Sequence, residues 1–243
     1  MNPRIAPLIY RVMDQLGPDS PNFVQSPEIL QSLGPFVQQL IIYSCSEDDL
    51  TVFLKACPNV HHLMIHLKIT ASGTFSLNHM FLMLQGMTQL TRLTAALDSL
   101  WGFSHGKILP QAFLNISHLD VYASSIYPWK DQWEILTHLP KLTHLLIIVR
   151  YVLEVKVIVK LLKFCPVLKI LACMIPHYLH VGDGGALDKV DDNHLVLLDG
   201  KNYASMNISD WGRASKGCIG AMIVSEQVVF TCDSEYSFSF SVT

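Results

Sequence analysis

Three histidines, one arginine and one aspartate recur at places where they could do chemistry. His62, Arg92, His118 and His144 each stand one residue before a leucine, and Asp120 stands one residue after Leu119. Imidazole and carboxylate ligate zinc and carry protons in general acid–base catalysis. Neither use is expected here. A closed zinc site needs four ligands and a catalytic one usually three, and Arg92 in the same row repels a cation. No GxSxG, GxxxxGK[ST], HExxH or GxGxxG motif occurs, so the usual nucleophile, phosphate and dinucleotide sites lack their signatures. The acidic stretches Asp183-Gly184-Gly185 and Asp191-Asp192 lack the ligand spacing of an EF-hand. They read as a solvated loop. No catalytic residue, cofactor or metal is assigned.

Cysteine chemistry is also unsupported. Cys45, Cys57, Cys165, Cys173, Cys218 and Cys232 are scattered, with no CxxC pair. Cys57 and Cys165 share a context, Ala56-Cys57-Pro58 and Phe164-Cys165-Pro166. They read as reduced core thiols, since cysteine packs as a small hydrophobe.

The elements that must position these residues come from a repeat. A hydrophobic-x-x-Leu pattern recurs at Val37–Leu40, Val60–Leu63, Leu90–Leu93, Ile116–Leu119, Leu142–Leu145 and Leu168–Leu171. The anchoring leucines stand at positions 40, 63, 93, 119, 145 and 171, in steps of 23, 30, 26, 26 and 26, and one more step of 26 lands on Leu197. A period of roughly 20–29 residues suits a leucine-rich repeat of one strand and one helix per unit. One such unit cannot bury its own apolar face, whereas a stack shares a continuous core.

Between the anchors the spacing predicts helices. Ser46-Glu47-Asp48-Asp49 opens one with acids at its positive end, and Leu50, Phe53, Leu54 and Cys57 form its apolar stripe before Pro58 stops it. Residues 129–139 repeat this before Pro140, and residues 155–164 before Pro166. Trp129 and Trp133, four apart, share one helix face and are expected in the core. Residues 69–78 and 182–193 are expected to be loops. The fold class is therefore α/β: a leucine-rich-repeat-like solenoid with parallel strands on one face and helices on the other.

In that register the residues flanking each anchor point away from the helices, because strand side chains alternate. His118 and His144 become lateral neighbours, about 4.8 Å apart across adjacent strands, with Arg92 beside them. His62, Met64, Asp120, Tyr43, His66 and Tyr122 join the same strip. The functional reading is a polar, partly aromatic protein-recognition surface on the sheet. The bland alternative is that histidine is simply tolerated at solvated strand positions.

Composition narrows the partners. Half the residues are hydrophobic and 15 % are charged, unlike a disordered chain. The net charge is −3 and no Lys/Arg cluster stands out, so nucleic acid is not expected. No apolar run reaches the roughly 20 residues of a bilayer span, and the start carries no secretory signal. The expectation is no membrane and an intracellular, cytoplasmic or nuclear location. The sequons at Asn115 and Asn207 then carry no meaning.

The repeat form, helix then Cys-Pro or Leu-Pro then strand, resembles the F-box/leucine-rich-repeat-like proteins of mushroom-forming fungi. Asn2-Pro3-Arg4-Ile5-Ala6-Pro7-Leu8-Ile9-Tyr10-Arg11 is similar to the segment that leads from their F-box into the repeats. Asp210-Trp211-Gly212-Arg213-Ala214 is similar to their closing helix. The likeness spans roughly residues 2–224. It departs from the family in lacking the F-box upstream, in the apolar run Cys218–Val224, and in the strand-like alternation of the last residues. It implies a substrate-recognition module of a ubiquitin-ligase receptor that binds an unknown protein and does no catalysis. Without the box, this chain alone is not expected to bind the Skp-type adaptor. The alternative is a truncated or structurally incomplete fragment with no physiological partner. The expected organisation is a linker-like segment at 1–35, the repeats at 36–200, and a capping helix, with Trp211 packed on the last units, plus an atypical tail at 201–243.

Overall fold

The computed structural model describes residues 12–15, 27–43, 47–66, 84–96, 111–123, 131–149, 154–175 and 190–199. They form an α/β fold around one all-parallel sheet of eight strands. The strands are β1 (Val12–Gln15), β2 (Gln39–Tyr43), β3 (His62–His66), β4 (Arg92–Ala96), β5 (His118–Ala123), β6 (His144–Val149), β7 (Ile170–Ile175) and β8 (Leu195–Asp199). Each strand pairs with the next in sequence, so spatial order equals chain order. Between them run α1 (Pro27–Leu33), α2 (Glu47–Ala56), α3 (Asp131–Thr137) and α4 (Val155–Phe164), with 3-10 turns at Gly34–Phe36 and Gln111–Asn115.

The register places Leu40, Leu63, Leu93, Leu119, Leu145 and Leu171 side by side. All are 0 or 1 % exposed. The residue two further on lines the same face: Ile42, Ile65, Ala95, Val121, Ile147 and Cys173 are likewise buried. Helix residues close over this row, and Leu50, Phe53, Trp133, Ile158 and Leu161 join the anchors in one core cluster. Full burial of each leucine stabilises the fold by roughly 1.5–3 kcal/mol. The helices end as their sequence dictates. Cys57 N–H donates to Phe53 O at 3.0 Å and Cys165 N–H to Leu161 O at 2.9 Å, and the proline that follows each cysteine has no N–H to continue the ladder.

Two expectations are corrected. The segment 1–35 is not wholly linker-like: β1 pairs with β2, and Met13 lies opposite Leu40 and is 3 % exposed. The anchor row thus begins one unit before Leu40, with methionine in the leucine position. Helix α1 follows, burying Leu30 and Leu33. At the other end, Leu195, not Leu197, pairs with Leu171, while Leu197 pairs with Cys173. The last step, from Leu171 to Leu195, is therefore shorter than the three before it. Residues two apart face the same side of a strand, so the apolar pattern fits either register equally well. Residues 69–78, Trp129 and Trp211 lie outside the described residues.

Close approach of helices fixes one glycine. A Cβ on Gly34 would run into the carbonyl oxygen of Ala56 and come within 2.7 Å of its carbonyl carbon. Only a hydrogen fits where the first turn meets the end of α2.

Candidate functional site on the sheet face opposite the helices

The register brings Gln39, His62, Arg92, His118, His144 and Ile170 into one row across β2–β7. All are half-buried. The next row on this face runs Ile41, Met64, Thr94, Asp120, Leu146 and Ala172. It is more shielded than the strand alternation suggests: Met64 is 2 % exposed, and Thr94 and Asp120 are 0 %. Tyr122 is half-buried beside Ile148. Tyr43 and His66 pair in register at the end of β2 and β3; their side chains lie outside the described residues. The face is divided. Toward β3–β5 it is polar, and over β6–β7 Leu146, Ile148, Ala172 and Met174 form an apolar cluster with Tyr122, Ile170 and Val196 at its edge.

His118 and His144 stack. Their ring centroids are 4.3 Å apart and their planes differ by 2°. The residue before each holds its ring: Ser117 Oγ is 2.9 Å from His118 Nδ1 and Thr143 Oγ1 is 2.9 Å from His144 Nδ1. Those hydroxyls have already committed their protons. Ser117 Oγ donates to Thr91 O at 3.3 Å, Thr143 Oγ1 to Ser117 O at 3.1 Å, and Thr91 Oγ1 continues the series to His61 O at 3.3 Å. A hydroxyl has one proton to give, and where it goes to the carbonyl, Nδ1 carries a hydrogen and donates it to the hydroxyl oxygen. A ladder running in that direction goes with the Nδ1–H tautomer, whose lone pair is on Nε2.

The electrostatics agree. Burial, then the charges of His144 and Arg92, hold His118 down at about 4. Burial, then Arg92 and His118, hold His62 down at about 3. His144 is lowered by burial, then by Lys169 and Arg92. All three imidazoles are neutral at pH 7. Asp120 is pushed up to about 6 by burial, against the opposing pull of Arg92 and of a 3.0 Å hydrogen bond that Thr94 Oγ1 donates to its Oδ2. Its Oδ1 is buried and accepts no hydrogen bond among the described residues.

This arrangement is poorly suited to metal chemistry. Lone pairs of parallel imidazoles run parallel in their ring planes, so they cannot converge on one ion at the required ~2.0–2.1 Å. Among the described residues no group of three His, Cys, Asp or Glu side chains could hold a metal ion. The thiols are equally unsuited to nucleophilic work: Cys57, Cys165 and Cys173 are buried. Burial pushes them up to about 12, 11 and 12, so the reactive thiolate is scarce.

The Thr91–Ser117–Thr143 ladder escaped the sequence reading, although its signal is there. The triplets Thr91-Arg92-Leu93, Ser117-His118-Leu119 and Thr143-His144-Leu145 recur at a spacing of 26. Hydroxyl, base and leucine are one motif, in which the hydroxyl bridges units and the leucine anchors the strand.

No protein-family model matches the chain, and no curated protein matches its sequence. Among the described residues no helix is long and apolar enough to cross a membrane.

Proposed function

We propose that the chain is a leucine-rich-repeat-like solenoid that recognises a protein through the sheet face opposite its helices, without catalysis, in the manner of the substrate-recognition repeats of F-box ubiquitin-ligase receptors. The observation that carries this reading is the row His62–Arg92–His118–His144, one side chain from each of four adjacent strands at one register position. A rigid strand platform holds such groups in fixed relative positions, as recognition requires. The even spacing of Leu93, Leu119, Leu145 and Leu171 and the strictly sequential strand order support the solenoid.

The non-catalytic reading rests on the site chemistry. The imidazoles of His118 and His144 are held at Nδ1 and stacked, Asp120 is fully enclosed, and Cys57, Cys165 and Cys173 sit in the core. Free thiols at Cys57, Cys165 and Cys173 fit a reducing, intracellular compartment. Contact with a Skp-type adaptor is not expected from residues 12–15 or 27–36, because these pair with β2 or pack on the repeats. Nucleic acid is not the expected ligand of a face whose three imidazoles are neutral at pH 7 and whose charged base, Arg92, lies beside the buried carboxyl of Asp120.

Affinity selection from a cell extract tests the reading. Three baits are compared: the full chain, a His118→Ala/His144→Ala variant, and a control with Lys55→Ala on exposed α2. At least one protein should be held by the first and third and lost from the second. Identical recovery on all three would reject the face as a recognition surface. Retention of the adaptor by the full chain would reject the exclusion of that partner.

A further inference from the structure

Helix α4 turns Val157, Ile158 and Leu161 into the core. At 3.6 residues per turn this leaves Lys156, Val159 and Lys163 facing outward, with half-buried Lys160 on their flank. Residues three and four apart are neighbours on a helix surface, so Lys156 and Lys163 border Val159. Val159 keeps 46 % of its surface, and Phe164 and Val167, at the turn that follows, keep 48 % and 42 %. These are three of the six large hydrophobic side chains exposed among the described residues. Apolar exposure is therefore concentrated in this one unit. Lys163 Nζ lies 5.5 Å from the centre of the Phe164 ring, so charge and apolar surface are interleaved. Glu154 stands immediately ahead of the helix. A basic, partly apolar patch on a chain of net charge −3 calls for its own account.

We infer that the outward face of α4 docks an acidic amphipathic segment of a partner protein, with carboxylates over the lysines and apolar side chains on Val159, Phe164 and Val167. This surface is separate from the sheet face and does not depend on the role assigned there. An acidic peptide fits better than the other anionic classes. Three lysines fall short of the 4–8 basic residues that hold a chain to an anionic membrane. Nucleic-acid surfaces place phosphate donors and stacking rings along a track, whereas aliphatic Val159 and Val167 interrupt this one. Exposed ion pairs are each weak, so the apolar contacts supply the affinity and the lysines supply orientation and association rate.

The full chain is screened with a displayed library of short random peptides, counter-selected on a Lys156→Glu/Lys163→Glu variant. Both positions are exposed, and an unchanged melting curve shows that the variant folds. The enriched peptides should combine Asp or Glu with Leu, Ile or Phe. In fluorescence anisotropy they should bind the variant about tenfold more weakly, bind a Val159→Ser/Val167→Ser variant about tenfold more weakly, and weaken with added salt. The inference is overturned if nothing is enriched, if the enriched peptides are not acidic, or if they bind the charge-reversed variant equally well. It is also overturned if single-stranded DNA or phosphatidylserine vesicles bind the wild-type chain while no acidic peptide does.

Discussion

The imidazoles of His118 and His144 lie face to face, 4.3 Å between centroids and 2° from parallel, and each is tied at Nδ1 to the hydroxyl of the residue before it. Two cations could not rest so close on a half-buried surface without an acid between them. The nearby carboxylate, Asp120, is bound to Thr94 and sits beside Arg92. The stack is therefore a neutral structure, and its chemistry is that of packing and hydrogen-bond acceptance.

Stability should fall on mild acidification. His62, His118 and His144 have folded-state values lowered below the usual 6.5. Between about 6.5 and 4 the unfolded chain binds more protons than the folded one, and wherever that holds stability drops as the pH is lowered. Urea midpoints should drop from pH 7 to pH 5, and drop less in a His118→Phe/His144→Phe variant that keeps a stack without titrating. Equal slopes for the two would show that the histidines do not carry the effect.

Thr143→Val should release the His144 ring. The substitution removes the oxygen that accepts from Nδ1 and the proton donated to Ser117 O. A net loss of about 1 kcal/mol is expected, the usual worth of a hydrogen bond. Nitrogen-15 spectra of the imidazole give the sharper readout. Wild-type His144 should carry its hydrogen on Nδ1, and the variant should show a mixture of tautomers. A wild-type ring with its hydrogen on Nε2 would contradict the ladder.

The leucine anchors of β2–β7 were legible because a fully buried strand position admits few residue types, and leucine recurs there six times. Met13 was not legible, since methionine fills the same volume without matching the pattern. Helix α1 was missed for its length: seven residues, with only Leu30 and Leu33 turned inward. The lateral pairing of His118 with His144 follows from the position each holds before its anchor leucine. The burial of Met64, Thr94 and Asp120 does not, because alternation says which face a side chain takes and not what shields it. The stack needed coordinates as well, since χ angles decide it.

Leu145→Ala should cost roughly 2–5 kcal/mol, the range for a core leucine, because Leu145 is 1 % exposed among neighbours on both sides. Leu197→Ala should cost less, since Leu197 is only partly buried and packs at the rim of the core. Denaturant curves on both variants check the order. At Leu145, a loss well below the range for a core leucine would break the register argument.

Gly34→Ala should destabilise by about 1–3 kcal/mol, the usual cost of overpacking a core. The obstacle is the backbone carbonyl of Ala56, which cannot swing aside as a side chain could. Ala56→Gly should not rescue the variant, because the clash is with the carbonyl and not with the methyl group. Full rescue in a thermal melt would place the conflict elsewhere.

Asp120→Asn separates the carboxyl from the histidines by the sign of its pH dependence. The folded value of Asp120 is raised to about 6 from an ordinary 3.8. Between those values the folded chain binds the extra proton, so this group favours folding increasingly as the pH falls, opposite to the imidazoles. Asparagine retains an acceptor for Thr94 but takes up no proton. The wild type should therefore gain on the variant as the pH is lowered from 7 toward 4, by about 1.4 kcal/mol for each tenfold rise in proton affinity on folding. At pH 7 the difference has two opposing parts: relief of a buried charge, and loss of the counter-charge to Arg92. The change with pH is thus the informative quantity. A gap between the two proteins that stays constant from pH 7 to pH 4 would show that the carboxyl is ionised throughout, and that Arg92 outweighs its burial.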